Sequence, residues 1–247
     1  MKVTDKSESY VRHLQENKEI VTEYYRKSLV KTEQQKFLEK LLHEKNAQFS
    51  TIADLACGGG TLSFHLSTIF PEAQFHLTDL NIEALDLARE ICKGERFHFS
   101  VDNLFELNTL KHNSFDAVFC WQTLLLFDKV EELIFSVLRL LKPGGKAYFM
   151  SLFNLDCNVD IFAKILDHTR DGKEKAEAIS YNTISRFSIE RILTNKVQDF
   201  EIYRFDPVAD ISYNGKGLGT NTVLAGNKRL QISGGYLMNW GLLEITK

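Results

Sequence analysis

The stretch that decides the fold is Asp54-Leu55-Ala56-Cys57-Gly58-Gly59-Gly60-Thr61. A short apolar run at residues 49–56 leads into it, and a helical pattern over residues 61–70 follows it. Glycines allow a backbone to approach a ligand closely, and the first N–H groups of a helix are free to bind one. Three consecutive glycines also lose conformational freedom on folding, which a plain tight turn does not require. We therefore interpret this segment as a nucleotide-binding loop between a strand and a helix.

The residues after this loop continue to alternate between strand and helix patterns. Helical patterns occur at residues 81–93, where Asn81 is a suitable N-cap, and at 129–141, where Pro143 and two glycines end the helix. Strand-like runs occur at residues 73–78, 96–101, 116–121 and 146–153. This alternation predicts an α/β fold in which a mostly parallel sheet carries helices on both faces.

The two ends of the chain differ from this alternating core. The spacing of apolar residues predicts helices near the N-terminus and at residues 161–171 and 188–195. Strands are expected at 200–205 and 236–246, with a hairpin whose turn is Gly226-Asn227. We expect a single domain over residues 1–247, made of a helical lid (1–48), a cofactor-binding core (49–155), a helical insertion (156–198) and final strands with a hairpin (199–247).

Composition restricts the class of protein. The formal net charge is −3, whereas a nucleic-acid-binding surface needs a clear excess of Lys and Arg. No apolar run approaches the roughly 18 residues that span a bilayer. The four cysteines form no close pair, which is typical of reduced thiols, and the seven histidines show no metal-ligand spacing. We expect a cytoplasmic protein, a monomer or homodimer, with no nucleic-acid partner, no membrane contact and no metal.

The glycine loop distinguishes between two cofactor classes. A dinucleotide fingerprint requires Gly or Ala where this chain has Ser63, whereas an acidic residue, Asp54, precedes Gly58 by four positions. The segment resembles motif I of class I S-adenosylmethionine-dependent methyltransferases, whose usual form is acidic-x-Gly-x-Gly-x-Gly. The chain departs from that form at Ala56, and an alanine is tolerable there if its φ is negative.

The resemblance extends through the first 155 residues and implies positions for the parts of S-adenosylmethionine. Asp79, 21 residues after Gly58, would accept from the ribose hydroxyls, and Asp102-Asn103 would bind the adenine amino group. Residues 116–121 and 141–146 resemble the family's fourth strand and the loop before its fifth strand. The family fold is a Rossmann-like three-layer sandwich with seven strands, the last antiparallel. The cofactor-binding residues that the resemblance implies are Asp54, Ala56, Cys57, Gly58, Gly60, Asp79, Leu80, Asp102, Asn103, Leu104, Cys120 and Trp121, together with Tyr25 or Arg26 at the methionine carboxylate.

The acceptor side of the site is less marked in the sequence. Gln122 follows the fourth strand, where the family places groups that face the acceptor. Residues 181–183 and 230–240 resemble, more weakly, bacterial methyltransferases of surface-polysaccharide or small-metabolite modification. On that resemblance Tyr181, Asn182 and Trp240 would line the acceptor pocket, with His168 as a candidate base. Solvent-exposed loop positions and core packing are the alternative for these residues.

The resulting hypothesis is an enzyme that transfers a methyl group from S-adenosylmethionine to an O or N atom of a small polar metabolite or sugar derivative, releasing S-adenosylhomocysteine. One alternative is a nicotinamide-dependent oxidoreductase or epimerase, but the chain has no Tyr-x-x-x-Lys sequence. The other is a non-catalytic protein that binds S-adenosylmethionine as a regulator.

Overall fold

A computed structural model describes residues 29–166, 178–213 and 218–247. The helices in these ranges are α1 (Glu33–Glu44), α2 (Thr61–Ile69), α3 (Ile82–Ile91), α4 (Val130–Leu138) and α5 (Arg186–Leu193), with a 3-10 turn at Leu124–Leu126. The strands are β1 (Thr51–Leu55), β2 (Gln74–Asp79), β3 (Phe97–Val101), β4 (Phe115–Trp121), β5 (Leu141–Asn154), β6 (Ile161–Ile165), β7 (Ile179–Ser185), β8 (Asp199–Arg204), β9 (Asn221–Ala225), β10 (Lys228–Ser233), β11 (Tyr236–Leu237) and β12 (Trp240–Thr246).

The central sheet has a main path of seven strands in the order β3-β2-β1-β4-β5-β12-β8. The first five strands are parallel, and β12 runs antiparallel to both β5 and β8. This arrangement confirms the predicted α/β fold, a mostly parallel sheet with an antiparallel last strand. Two further strands bring the sheet to nine within the described residues, because β7 pairs in parallel with the end of β5 and β6 pairs antiparallel with β7.

Both faces of the sheet are covered, which explains why its central strands are apolar along their whole length. One cluster of buried side chains joins the sheet to α4 and α5, and includes Leu133 and Ile189. A second cluster joins the other face to α1 and α2, and includes Leu38 and Leu66. Local signals fix where the helices begin. For example, the Asn81 side chain accepts a hydrogen bond from the backbone N–H of Glu83 at the start of α3.

The prediction of a helix at residues 161–171 is wrong for its described part. Residues 161–165 form β6, and all five pair with β7. A short run of β-branched and aromatic residues fits a strand as well as a helix, and long-range pairing decides between them. The predicted helix near 188–195 is present as α5, so the described residues of this region, 156–166 and 178–198, contain the strand pair β6–β7 and one helix.

The predicted hairpin is confirmed, with Gly226 in the left-handed region at φ 61° between β9 and β10. The single strand predicted at 236–246 is divided in two. β11 joins β9 and β10 in a separate three-stranded antiparallel sheet, whereas β12 enters the central sheet. Among the described residues, no helix is long and apolar enough to cross a membrane.

Candidate functional site

A cavity of about 760 Å³ lies at the carboxyl ends of β1 and β4. Open α/β sheets bind ligands at this edge, and the volume falls within the usual range for small-molecule sites. The residues that line it come from the glycine loop, the start of α1, β7 and the small sheet, among other segments. The predicted site residues that border the cavity are Asp54, Ala56, Cys57, Gly58, Trp121, Gln122, Tyr181 and Trp240.

The glycine loop turns sharply as it leaves β1. Ala56 has a φ of 51° and Gly58 has a φ of 52°, so both lie in the left-handed region. From the sequence, an alanine is expected to be tolerable at position 56 only with a negative φ. The observed φ is positive, so this condition is not met. Immediately after Ala56, the backbone N–H of Cys57 donates to the carbonyl of Thr78 on β2 at 3.0 Å. The sharp turn needs a left-handed residue where the family has glycine, and alanine adopts it at a cost of about 1–2 kcal/mol.

Gly60 does not border the cavity, and its backbone packs closely against neighbouring side chains. A Cβ at this position would lie 3.0 Å from Cβ of Ala88 and 3.2 Å from a methyl carbon of Leu77. Gly60 also has a φ of 72° and caps α2. The absence of a side chain therefore allows α2 to begin against α3, which is a structural reason for this glycine.

Asp54 is the most perturbed acid at the cavity. Its side chain is 1% exposed, and its Oδ2 accepts a hydrogen bond from the Ser63 hydroxyl at 2.7 Å. Its Oδ1 has no hydrogen-bond partner among the described residues. Burial raises the pKa of Asp54 to about 7, with the negative charge of Asp79 adding to the effect, although the Ser63 hydrogen bond opposes it. A carboxylate with an unpartnered oxygen at the cavity floor fits the ammonium group of an amino-acid-like ligand.

Asp79 ties the glycine loop to β2. Its Oδ2 accepts from the backbone N–H of Gly58 at 2.9 Å, and its Oδ1 accepts from that of Asn81 at 2.8 Å. Burial of the carboxylate raises the pKa of Asp79, and these hydrogen bonds work in the opposite direction. Each oxygen keeps acceptor capacity for a further donor, so the ribose contact stays a prediction. Asp79 and the adjacent Leu80 do not border the cavity.

The carboxylate of Asp102 accepts four hydrogen bonds from the loop that follows it. Its Oδ1 accepts from the backbone N–H groups of Asn103 and Asn108, at 2.8 and 3.1 Å. Its Oδ2 accepts from the backbone N–H and the hydroxyl of Thr109, at 2.7 and 2.6 Å. These four bonds match the roughly four acceptor positions of a carboxylate, so an adenine amino group would have to replace one of them. The adenine contact predicted for Asp102, Asn103 and Leu104 stays a prediction, and none of the three borders the cavity.

The two cysteines near the loop differ in position. Cys57 borders the cavity, whereas Cys120 is fully buried beside β1 and does not reach it. Burial raises the pKa of both thiols, and for Cys57 the nearby charges of Asp54 and Asp79 raise it further. Protonated thiols are weak nucleophiles, so neither cysteine is set up to attack a substrate.

Gln122 stands where β4 ends and has a φ of 55°, an uncommon value for a residue other than glycine. Its side-chain amide donates to the Oε1 of Gln34 at the start of α1. Gln34 is 7% exposed and borders the same cavity. Sequence reasoning missed Gln34, because nothing in a polar helix start marks it as a neighbour of a strand end 88 positions away.

The structure separates Tyr181 from Asn182. Tyr181 borders the cavity, but Asn182 is 1% exposed and its Nδ2 donates to Asp128 at 3.0 Å. Successive side chains of a strand point to opposite faces, so β7 can present only one of this pair to the cavity. Asn182 does not border this cavity, and its role at an acceptor site stays a prediction. Trp240 borders the cavity although it is only 8% exposed, so it serves both the core and the wall.

Three predicted site residues, Tyr25, Arg26 and His168, lie outside the described residues. Across ranges 29–166, 178–213 and 218–247 there is no group of three or more His, Cys, Asp and Glu placed to hold a metal ion.

The geometry agrees with a comparison of the chain with known families. Residues 52–145 match the family model described as a methyltransferase domain. This segment is therefore similar to methyltransferase domains. It covers the glycine loop, Asp79, Asp102 and the start of β5, and it confirms the resemblance to class I S-adenosylmethionine-dependent methyltransferases.

Two curated relatives each resemble less than half of the chain. A ribosomal RNA small subunit methyltransferase C from Buchnera aphidicola is 29% identical over 125 residues, which are 46% of this chain and 36% of the relative. A ubiquinone biosynthesis O-methyltransferase from Xanthomonas oryzae is 31% identical over 110 residues, which are 41% of this chain and 42% of the relative. The chain thus spans less than half the length of these two curated relatives.

Among solved structures, the phosphoethanolamine N-methyltransferase 2 of Haemonchus contortus, in complex with S-adenosylmethionine, is similar with a TM-score of 0.53. The match covers 81% of this chain and 49% of that one at 18% sequence identity. Likeness at this level of identity shows that the fold is shared.

Proposed function

We propose that this chain transfers a methyl group from S-adenosylmethionine to an O or N atom of a small polar acceptor. One observation carries the proposal: Asp54 and Gly58 of the methyltransferase domain border the same cavity as Gln122, Tyr181 and Trp240. A methyl donor at the glycine loop and an acceptor beside Gln122, Tyr181 or Trp240 would therefore share one cavity.

The residues of the loop fit the amino-acid end of the cofactor. The unpartnered Oδ1 of Asp54 would accept from its ammonium group, and the turn at Gly58 would bring backbone close to it. Asp79, which already holds Gly58 in place, would accept from the ribose. When bound, the cofactor supplies a methyl group already activated by a sulfonium charge. The work left to the protein is to align the acceptor and to exclude water.

The volume of the cavity supports a small acceptor. Residues of β10 and the segment before β12, including Gln231, Ser233 and Met238, line the same cavity as the glycine loop. A cavity of this volume suits a metabolite better than an RNA duplex or a folded protein. Because one curated relative is named as a ribosomal RNA methyltransferase, RNA is the competing acceptor to test. A sugar derivative of the kind found in surface polysaccharides remains within the proposal, on the resemblance of residues 181–183 and 230–240.

Calorimetry tests the cofactor, with S-adenosylmethionine, S-adenosylhomocysteine and NAD titrated into the folded chain. We expect binding of the first two, and we expect Asp54→Ala to weaken it by about 1–3 kcal/mol, the scale for an unpaired polar site. Asp86→Ala is the matched control, because Asp86 pairs with Arg89 on the solvent side of α3. Binding of NAD alone would overturn the proposal in favour of an oxidoreductase.

Release of S-adenosylhomocysteine tests the transfer. Pools of small metabolites and total ribosomal RNA would be offered separately to the full chain with S-adenosylmethionine. We expect release with a metabolite pool and none with RNA. Tight cofactor binding without release in any pool would instead support a non-catalytic regulator.

A further inference from the structure

Two side-chain amides are joined at the cavity, that of Gln34 in α1 and that of Gln122 at the end of β4, and both residues border the cavity. Nε2 of Gln122 donates to Oε1 of Gln34. Among the described residues, this bond leaves Oε1 of Gln122 and Nε2 of Gln34 without a hydrogen-bond partner. Neither atom is sealed from solvent, because neither is among the buried polar atoms that lack a partner. The pair therefore offers a ligand one hydrogen-bond acceptor and one hydrogen-bond donor.

This combination does not depend on which end of each amide is the oxygen. One hydrogen bond between two amides always uses one oxygen and one N–H group. If oxygen and nitrogen were exchanged in both side chains, the free groups would again be one carbonyl oxygen and one amino group. The chemical character of the pair therefore follows from the presence of two glutamines that share one bond.

Both glutamines are held by the surrounding structure before any ligand binds. Gln122 has a φ of 55°, and its backbone N–H donates to the carbonyl of Met150 at 2.8 Å. A left-handed conformation at a residue other than glycine is strained, and such residues cluster at functional sites. The start of α1 is fixed by a capping box between Thr32 and Gln35, with hydrogen bonds of 2.9 and 3.2 Å. A pair that is fixed in this way loses little conformational freedom when it binds a ligand.

The register of the sheet places the pair away from the expected path of the cofactor. Asp54 on β1 is in register with Phe119 on β4, and Gln122 lies about 10 Å beyond Phe119 in the direction of the strand. Asp79 lies on β2, which pairs with the other edge of β1. Under the proposed function the cofactor runs from Asp54 towards Asp79 and so extends away from β4. We therefore assign the glutamine pair to the methyl acceptor.

We infer that Gln34 and Gln122 together bind the methyl acceptor through a group that presents a hydrogen-bond donor and a hydrogen-bond acceptor on adjacent atoms, and that Gln34 determines this specificity. A primary carboxamide and a vicinal diol share this chemistry. The inference rests on the proposed function and deepens it, because it assigns a recognition element and a class of substrate. A bound molecule that lacks one of the two groups displaces water and leaves one amide of the pair unsatisfied, which is a strong basis for discrimination.

The test uses fragments that differ only in this group, and it does not require methyl transfer. Isobutyramide has both the donor and the acceptor, whereas methyl isopropyl ketone and isobutyrate have the same shape with hydrogen-bond acceptors alone. Propylene glycol is compared with sec-butanol, in which a methyl group replaces one hydroxyl. The chain has two tryptophans, Trp121 and Trp240, and both border the cavity, so their fluorescence reports on its occupancy.

The fragments are titrated into the full chain saturated with S-adenosylhomocysteine. We expect isobutyramide or propylene glycol to bind about tenfold more tightly than its counterparts, because only these two satisfy both amides. Whichever of the two binds more tightly identifies a carboxamide or a diol as the source of the shared chemistry.

Substitutions separate recognition by the pair from a structural effect on α1. Gln34→Met keeps the length of the side chain and removes its polar atoms, and we expect it to abolish the preference for the better fragment. Gln122→Met is a second variant with the same expected result. Lys36→Met is the matched control, because Lys36 is exposed on the same helix and does not border the cavity. We expect this control to keep the preference, and all the variants to bind S-adenosylmethionine as the unaltered chain does.

The outcomes distinguish the inference from the proposed function. If the folded chain does not bind S-adenosylmethionine, the proposed function is overturned and the inference with it. If the cofactor binds but isobutyramide and propylene glycol bind no better than their counterparts, only the inference is overturned. It is also overturned if S-adenosylhomocysteine displaces the fragments or if Gln34→Met weakens cofactor binding, because the pair would then belong to the cofactor. A preference that persists in Gln34→Met would show that Gln34 does not determine the specificity.

Discussion

The buried carboxyl of Asp54 makes stability and cofactor affinity depend on pH in a defined direction. Burial raises its pKa from 3.8 to about 7 in the folded chain, whereas the unfolded chain keeps the ordinary value. The folded state therefore disfavours the ionised form, and stability falls as pH rises from about 4 to about 7. A difference of about three pKa units, at about 1.4 kcal/mol each, amounts to about 4 kcal/mol above pH 7.

Asp54→Asn removes this effect while keeping an oxygen that can accept from Ser63. Relative to the unaltered chain, we expect the variant to gain about 2–3 kcal/mol of unfolding free energy between pH 5 and pH 8. The measurement is urea unfolding of the cofactor-free full chain at one-unit pH intervals. Taking the difference between the two proteins cancels the titration of the other groups. A difference that stays constant from pH 5 to pH 8 would refute the reasoning, because Asp54 would then ionise as it does in water.

The same carboxyl should link cofactor binding to pH. Under the proposed function, the ammonium group binds ionised Asp54, so affinity for S-adenosylmethionine should fall close to tenfold for each pH unit below 7. The Asp54→Asn variant should bind more weakly at pH 7 and show little dependence on pH between 5.5 and 7. Calorimetry over that interval distinguishes the two profiles, and parallel profiles would remove Asp54 from the ammonium site.

The cofactor side of the fold could be predicted from the sequence because its signals are local. The glycine loop, the apolar strands on either side of it and the alternating helices lie within about a hundred residues, and β1 and β4 are buried along most of their length. Asp54 and Gly58 were therefore placed at the cavity without any knowledge of long-range contacts.

The acceptor wall could not be predicted in the same way, because its residues meet only in the folded chain. Gln34 reaches Gln122 across 88 positions, and Trp240 reaches the cavity through the pairing of β12 with β5. Asn182 shows a different limit. The sequence predicts a helical insertion around it, and that pattern does not reveal the two-residue strand alternation that turns Asn182 away from Tyr181. The same limit applies to β6, because its residues fit a helix as well as a strand. Only the pairing of β6 with β7 decides that the segment is a strand.

Four further substitutions separate packing, loop support and backbone strain. Gly60→Ala should lower the unfolding free energy by about 2–4 kcal/mol, combining a left-handed φ with overpacking against Ala88. Gly144→Ala, at a similar φ but with no atom within 4 Å, should lower it by only about 1 kcal/mol, and equal losses in urea unfolding would contradict the packing argument. Asp102→Asn removes an acceptor of its loop and should cost about 2–3 kcal/mol without cofactor, so unchanged stability would show that the loop does not depend on this carboxylate. Ala56→Gly relieves about 1–2 kcal/mol of left-handed strain but adds about 0.4–1 kcal/mol of unfolded-state entropy, so the net expectation is a gain of about 0.5 kcal/mol. A loss of stability in this last variant, measured by the same unfolding experiment, would mean that residue 56 does not adopt the left-handed turn from which the loop geometry follows.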